Sequence, residues 1–293
     1  MYDGCADYWW AQVLFVSNLI PFFEAPNYGC FFWSWPVVTD MQLTLLVPLF
    51  VIIFKRCGSK AGHIFVIVCV IENVAVAMYI IFKYQVRAGP IAEENWYLFA
   101  MLVEKPWVKT GVFAVGVSFA DLYRTLLKYR ALRSDAEREA TYPGMHWFVK
   151  KLWLRKVIAS LTVIGCIYIL LCAKPAVSDP YKWSMTKNAI FYSVLHLFWS
   201  YFNIIGVFMI LCGGMPFAQA FLSRPFCIAV GKLCFVTCLI TPIMVQLAYT
   251  ALPDGLFLAT YSVDELAIGN VFGVLVAALF LHLLFEFPLK RLT

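Results

Sequence analysis

The chain has 293 residues, 62% of them hydrophobic and only 14% charged, with a mean hydropathy of +0.79 and a formal charge of +6. A soluble domain carries roughly 25% charged and roughly 45–50% apolar residues, so a water-bathed globular fold is excluded and lipid must be the outer solvent. No basic stripe with interleaved aromatics is present, which argues against nucleic acid as a partner.

In chain order, Met1 to Asp7 is acidic and lacks the basic flank of a signal peptide, so the first hydrophobic segment is expected to direct insertion. Tyr8–Phe23 is aromatic and apolar but short, and it contains Asn18 and Pro21. It reads as an interfacial or re-entrant helix, with a full crossing as the alternative. Seven stretches then reach the roughly 20 residues that cross a bilayer: Pro36–Phe54, His63–Phe82, Trp107–Leu127, Val157–Cys172, Ala189–Cys212, Cys227–Ala248 and Ile268–Phe285. The expected fold is an all-α polytopic bundle. Residues 1–35 form a non-cytosolic or interfacial segment, and 36–293 the transmembrane part, with a cytosolic basic loop at 128–156.

Lys and Arg set the orientation. Lys55, Arg56 and Lys60, then the run from Lys128 to Arg155, then Arg224, then Lys290 and Arg291 all fall on one side if seven crossings alternate. That side is expected to be cytosolic. Within the long loop, Ser134 with Glu137 reads as a capping box and Pro143-Gly144 as a turn. Trp147–Arg155 has the make-up of an interfacial helix on an anionic leaflet.

Most of the ten Cys lie inside predicted helices and read as small apolar packing residues. Cys5 and Cys30 instead flank Tyr8–Phe23 on the non-cytosolic side, where an oxidising lumen would allow them to pair. No Cys has metal-ligand spacing with His, and no metal is expected.

Ionisable residues at membrane depth each cost roughly 2.5–3.5 kcal/mol, so they must find partners. Glu72, beside Asn73 in mid-span, is expected to face the bundle interior; a structural pair or a protonated carboxyl stands there against a substrate-facing role. Asp40 and Gln42 lie at the lumenal entrance of the first span. Asp121 and Arg124 have the spacing of a local pair. Lys232 is near enough to a helix start to snorkel. His196 is the mid-helix candidate for a base, although a satisfied interior histidine is the more common case. His282 is alone on an apolar helix. No phosphate-binding glycine loop, nucleophile elbow or His-Glu-x-x-His motif occurs.

Cys5-x-x-Tyr8-Trp9-Trp10, Leu14 to Asn18, Cys30, Trp33-Ser34-Trp35 and Asp40-Met41-Gln42 resemble, in order and spacing, the central motif of the acyltransferase-3 family. The likeness is to its nose-resistant-to-fluoxetine-like branch. Glu104-Lys105-Pro106-Trp107 with Gly111 and Gly116 resembles that family's Lys-Pro-aromatic entry to a Gly-rich helix. Phe221-Leu222-Ser223 with Gly231-Lys232-Leu233-Cys234, and Glu286-Phe287-Pro288, resemble its last two helices. Two departures stand out: Pro36-Val37 replaces the usual aromatic-Leu, and Thr241-Pro242 the usual His-Pro.

The resemblance implies a membrane-bound O-acyltransferase-like protein, with acyl-CoA as co-substrate and a lipid, sugar or other acceptor. The family's early helices, with their Arg segment and catalytic His, have no counterpart in this chain. The resemblance therefore implies a chain that is incomplete or inactive alone. Activity would need a separate N-terminal catalytic polypeptide or other membrane subunits. Trp33, Trp35, Asp40, Gln42, Glu72, Lys105 and Lys232 are the pocket candidates. The alternative is a non-catalytic structural or lipid-binding subunit of a larger assembly. A transporter is disfavoured by the lack of paired broken helices or an inverted repeat. Endoplasmic reticulum or plasma membrane is the family expectation for location.

Overall fold

The computed structural model describes residues 4–20, 34–87, 98–178, 182–250 and 260–288, some helix ends by backbone only, and every regular element among them is helical. Five stretches of these residues are long and apolar enough to cross a membrane: Trp35–Tyr84, Leu152–Cys172, Met185–Leu211, Pro225–Val245 and Ile268–Phe285. Much of their apolar surface faces outward. Leu45 is 79% exposed and Leu171 65%, exposures that lipid tails cover without cost and water does not. The protein is an all-α integral membrane protein.

Seven stretches were expected from hydropathy, and the difference from five arises in two places. Trp35–Tyr84 is 50 residues long, against the roughly 20 of one crossing. It is broken at Gly58, whose φ of +86° lies where side-chain-bearing residues are strained. The break separates α2 (Trp35–Thr44), α3 (Val47–Ile52) and a π turn (Ile53–Cys57) from α4 (Gly58–Tyr84). The expected span Trp107–Leu127 corresponds to α5 (Thr110–Ala131). Its Asp121, Arg124, Lys128 and Arg130 make it less apolar than the other stretches. Before α2, the segment Tyr8–Phe23 begins inside α1 (Gly4–Val13) and leaves the helix through Phe15, at φ +55°; residues 21–23 lie outside the described part.

The structure separates into two compact units, 1–216 and 217–293. In the first, α4 and α5 pack along their length, and α8 (Leu152–Ser178) packs on α10 (His196–Leu211). Small residues permit both approaches. A Cβ on Gly111 would meet the Asn73 side chain at 2.8 Å, and one on Gly165 would meet the Phe202 ring at 2.6 Å, the close-packing device of helices in lipid. Apolar clusters fill three levels. Ile81, Leu102 and Ala189 pack at one end, Phe50, Val66 and Ala114 in the middle, and Leu126, Ala159 and Phe208 at the other end.

The connection between α5 and α8 folds into α6 (Asp135–Thr141) and α7 (Pro143–Lys150). Ser134 Oγ accepts from the Glu137 N–H at 3.2 Å, the first half of the expected capping box. Asp135 pairs with Arg138 and Lys150, and chiefly the Lys150 charge holds its carboxyl below the usual range. Pro143-Gly144 is not a free turn but the first turn of α7, where proline's missing N–H is tolerated. The expected interfacial helix Trp147–Arg155 is broken at Lys151, whose ammonium stands 4.3 Å from the Trp147 ring centre. Replacing Ser134 by Ala is expected to cost about 1 kcal/mol locally. Hydrogen exchange of the α6 amides should quicken roughly fivefold, while α5 amides keep their protection.

The second unit comprises most of α11 (Pro216–Leu222), with α12 (Pro225–Thr250) and α13 (Thr260–Leu281). The last two pack together, with Met244 lying 3.5 Å from where a Cβ on Gly273 would stand. Pro242 is inside α12, and just before it Thr241 Oγ1 donates to the Thr237 carbonyl at 2.6 Å.

Candidate functional site

Segment 104–110 gathers a group of polar side chains of the first unit. It enters α5 through a 3-10 turn at Pro106–Val108, because Pro106 supplies the fixed φ that opens such a turn and has no N–H to leave unpaired. At its start, the Glu104 carbonyl accepts from Asn18 Nδ2 and from Thr39 Oγ1, both at 2.9 Å. Asn18 Nδ2 also reaches Thr39 Oγ1 at 3.2 Å and Gln42 Oε1 at 3.1 Å, and Gln42 Nε2 returns a bond to Asn18 Oδ1 at 2.8 Å. A second Gln42 bond, to the Phe15 carbonyl at 2.8 Å, satisfies the turn that ends α1. Lys105, 2% exposed, donates to the Asn18 carbonyl.

Burial pushes the Glu104 carboxyl up to about 7, against the opposing pull of the adjacent Lys105 charge, and it draws the Lys105 amine below its ordinary value. Both shifts have the same physical cause, since desolvation disfavours each charged form. The Glu104 proton is therefore exchangeable close to neutrality.

The far end of the segment carries the second half of the site. Thr110 Oγ1 stands 2.7 Å from Glu72 Oε2 and 2.9 Å from the Trp107 carbonyl, and its single proton is shared between the two acceptors. Asn73 Nδ2 lies 3.5 Å from that same carbonyl. Lys109 Nζ stands 3.4 Å from His196 Nε2 and 5.8 Å from the centre of the Trp35 ring. The His196 ring stacks on Tyr192, with centroids 6.2 Å apart. Trp35, Glu72 and His196, far apart in sequence, thus meet the short segment that carries Lys105, and Gln42 joins it through Asn18.

The other sequence candidates fall elsewhere. Asp40 is exposed on α2, and its carboxylate makes no hydrogen bond among the described residues. Lys232 belongs to the second unit, where with His282 it lines a cleft of about 390 Å³ between α12 and α13. Trp33, Cys30 and the Cys5 side chain lie outside the described residues, so the Cys5–Cys30 pairing does too. Among the described residues no group of His, Cys, Asp or Glu could hold a metal ion.

Four residues of the site were not singled out from the sequence: Thr39, Lys109, Thr110 and Tyr192. A lysine just before an apolar run reads as a snorkelling or loop residue. Its four-residue offset from Lys105 was the one signal. A further cluster also went unread. Ser59 Oγ donates to Asp121 Oδ2 at 2.8 Å and lies 3.2 Å from His63 Nε2, while His63 Nδ1 meets Ser118 Oγ at 2.9 Å. Asp121 therefore does not form the expected pair with Arg124; it engages α4 instead, with His63 Nε2 at 3.7 Å. These residues do not form a nucleophile relay, because the carboxylate binds the serine rather than orienting the far nitrogen of the imidazole.

Comparison with known proteins places the chain beside one relative. It is 24% identical over 302 aligned positions to nose resistant to fluoxetine protein 6 of Caenorhabditis elegans, with 99% of this chain and 34% of that protein covered. The chain thus spans about a third of the length of the curated relative it matches. No protein-family model matches it, and no solved structure does.

Proposed function

We propose that this chain is an acyltransferase-3-like integral membrane protein, shaped to act on an acyl group passing from acyl-CoA to a lipid, sugar or other acceptor. In such a transfer the acceptor hydroxyl adds to the thioester carbonyl, the C–S bond breaks, and coenzyme A leaves as the thiol with the acceptor's proton. The step needs donors for the tetrahedral oxyanion and a base for the hydroxyl. The observation that carries the reading is the gathering of motif residues at segment 104–110: Lys105 within it, Trp35 and Glu72 against it, and Gln42 joined to it through Asn18. That segment presents Lys109 as a cationic donor beside His196. The likeness of 99% of this chain to a third of the nematode protein supports it. The base is proposed to come from a separate polypeptide, with His196 as the weaker candidate in this chain. The basic loops are proposed to be cytosolic, in the endoplasmic reticulum or plasma membrane.

A second reading, a non-catalytic structural or lipid-binding subunit, is favoured by one feature. The bonds among Asn18, Thr39, Gln42 and the Glu104 carbonyl close on one another, as in a clasp that needs no ligand. The test is labelling of membranes with radiolabelled long-chain acyl-CoA. Membranes containing the chain should label an acceptor that membranes lacking it do not. Lys109→Met should reduce that labelling at least roughly tenfold, and the purified chain alone should release no thiol. Labelling that is indifferent to the presence of the chain would remove transfer as its function. Labelling that survives in a folded Lys109→Met variant would move the chemistry away from this site.

A further inference from the structure

A cleft of about 190 Å³ opens between the α3–π turn and the second half of α5. Its walls are apolar: Phe50 and Phe54 on one side, Val117 and Ala120 on the other. Phe50 is fixed edge-on against Phe65 and Phe113, with ring centres 5.2 and 6.1 Å away, so that wall is rigid. Lys55 and Arg124 also line the cleft, one from each side, and both are exposed. Among the described residues neither makes an ion pair or hydrogen bond. The carboxylate in the same cleft, Asp121, would be the obvious neutraliser for Arg124. It is instead committed to Ser59 at 2.8 Å and lies 3.7 Å from His63.

An apolar slot with two uncommitted cations beside it has the chemistry of an amphiphile site. Water gains little from the slot, and a zwitterionic headgroup brings its own cation to a place that already has two. From this geometry we infer a binding site for one anionic glycerophospholipid, its phosphate between Lys55 and Arg124 and the start of one acyl chain along Phe50 and Phe54. Basic pockets between membrane helices recognise anionic headgroups in this manner. The volume, that of roughly six waters at about 30 Å³ each, admits the upper part of one chain; the remainder continues into the bilayer. Lys55 lies in the last turn of its element and Arg124 about two turns before the end of α5, toward the same basic side as Lys128 and Arg130.

The full chain, purified in detergent and stripped of lipid, is to be titrated with phosphatidylglycerol or phosphatidylcholine and followed by native mass spectrometry. One phosphatidylglycerol should bind, roughly tenfold more tightly than phosphatidylcholine. Lys55→Gln with Arg124→Gln should abolish that preference, whereas Lys151→Gln, removing a half-buried cation at Trp147 away from the cleft, should leave it intact. Ala120→Leu retains both charges but fills the slot, and it too should remove the tight site. Circular dichroism and gel filtration confirm that each variant is folded. Equal binding of the two lipids, or a preference that survives the double substitution, would overturn the site. So would an unaffected Ala120→Leu variant, which would mean surface charge alone, or displacement of the lipid by inorganic phosphate, which would mean that the acyl chain plays no part.

Discussion

Replacing Asn18 by Ala is expected to destabilise the first unit by about 2–4 kcal/mol. The side chain is 2% exposed and holds three elements together: the end of α1, helix α2 through Thr39 and Gln42, and the carbonyl of Glu104. Hydrogen bonds between membrane helices contribute on average about 0.6 kcal/mol each, with a ceiling near ~1.7. A buried partner left without its bond costs roughly 1–3 kcal/mol more. Here Gln42 loses both the acceptor and the donor it meets on Asn18, while Glu104 keeps only Thr39 on its carbonyl. Equilibrium unfolding in detergent measures the loss. Thr39→Val in the same background should couple to Asn18→Ala by more than about 0.5 kcal/mol, because the two share an acceptor. Additive effects would show that the shared carbonyl is not the link.

Gly111→Ala is the second large effect, and it works through space rather than through bonds. The added Cβ would stand 2.8 Å from both Cβ and Oδ1 of Asn73. Asn73 is buried between α4 and α5 and cannot swing aside without leaving the Trp107 carbonyl. Overpacking of this kind costs roughly 1–3 kcal/mol. Spreading α4 from α5 would also pull Glu72 from Thr110, one residue before the glycine, so the total should reach about 3 kcal/mol. Gly116→Ala is the control on the same helix. Nothing lies within 4 Å of its Cβ position, and the better helix former should be neutral or stabilising by up to about 1 kcal/mol. Equal losses at both positions would refute close approach as the reason for Gly111.

How much of this was readable beforehand depends on distance along the chain. Hydropathy located the helices, since each needs only its own apolar run. It also identified Glu72 as a residue that must have a partner, because a lone carboxylate at that depth is too costly. It could not say that the partner was Thr110, since that follows from the approach of α4 to α5 that Gly111 permits. The same limit explains Asp121. Arg124, three residues on, looked a sufficient partner, but the carboxylate turns to Ser59, which is 62 positions earlier in the chain. Lys109 was missed because position alone does not distinguish a lysine that faces solvent from one that faces a histidine. The motif residues Trp35, Gln42 and Lys105 were singled out by resemblance; in the structure Lys105 belongs to segment 104–110, Trp35 stands near its Lys109, and Gln42 reaches it only through Asn18. Asp40, from the same motif, does not attach there.

The bonds from residue 18 to residues 104 and 105 bear on how the protein is made. Asn18 leaves the ribosome well ahead of the groups that complete its hydrogen bonding, which are synthesised more than eighty residues later. Until then its amide must be served by water or by the insertion machinery, so the segment around residue 18 cannot settle before segment 104–110 arrives. A ribosome stalled before codon 104 should leave that segment open to protease, and one stalled well beyond it should not.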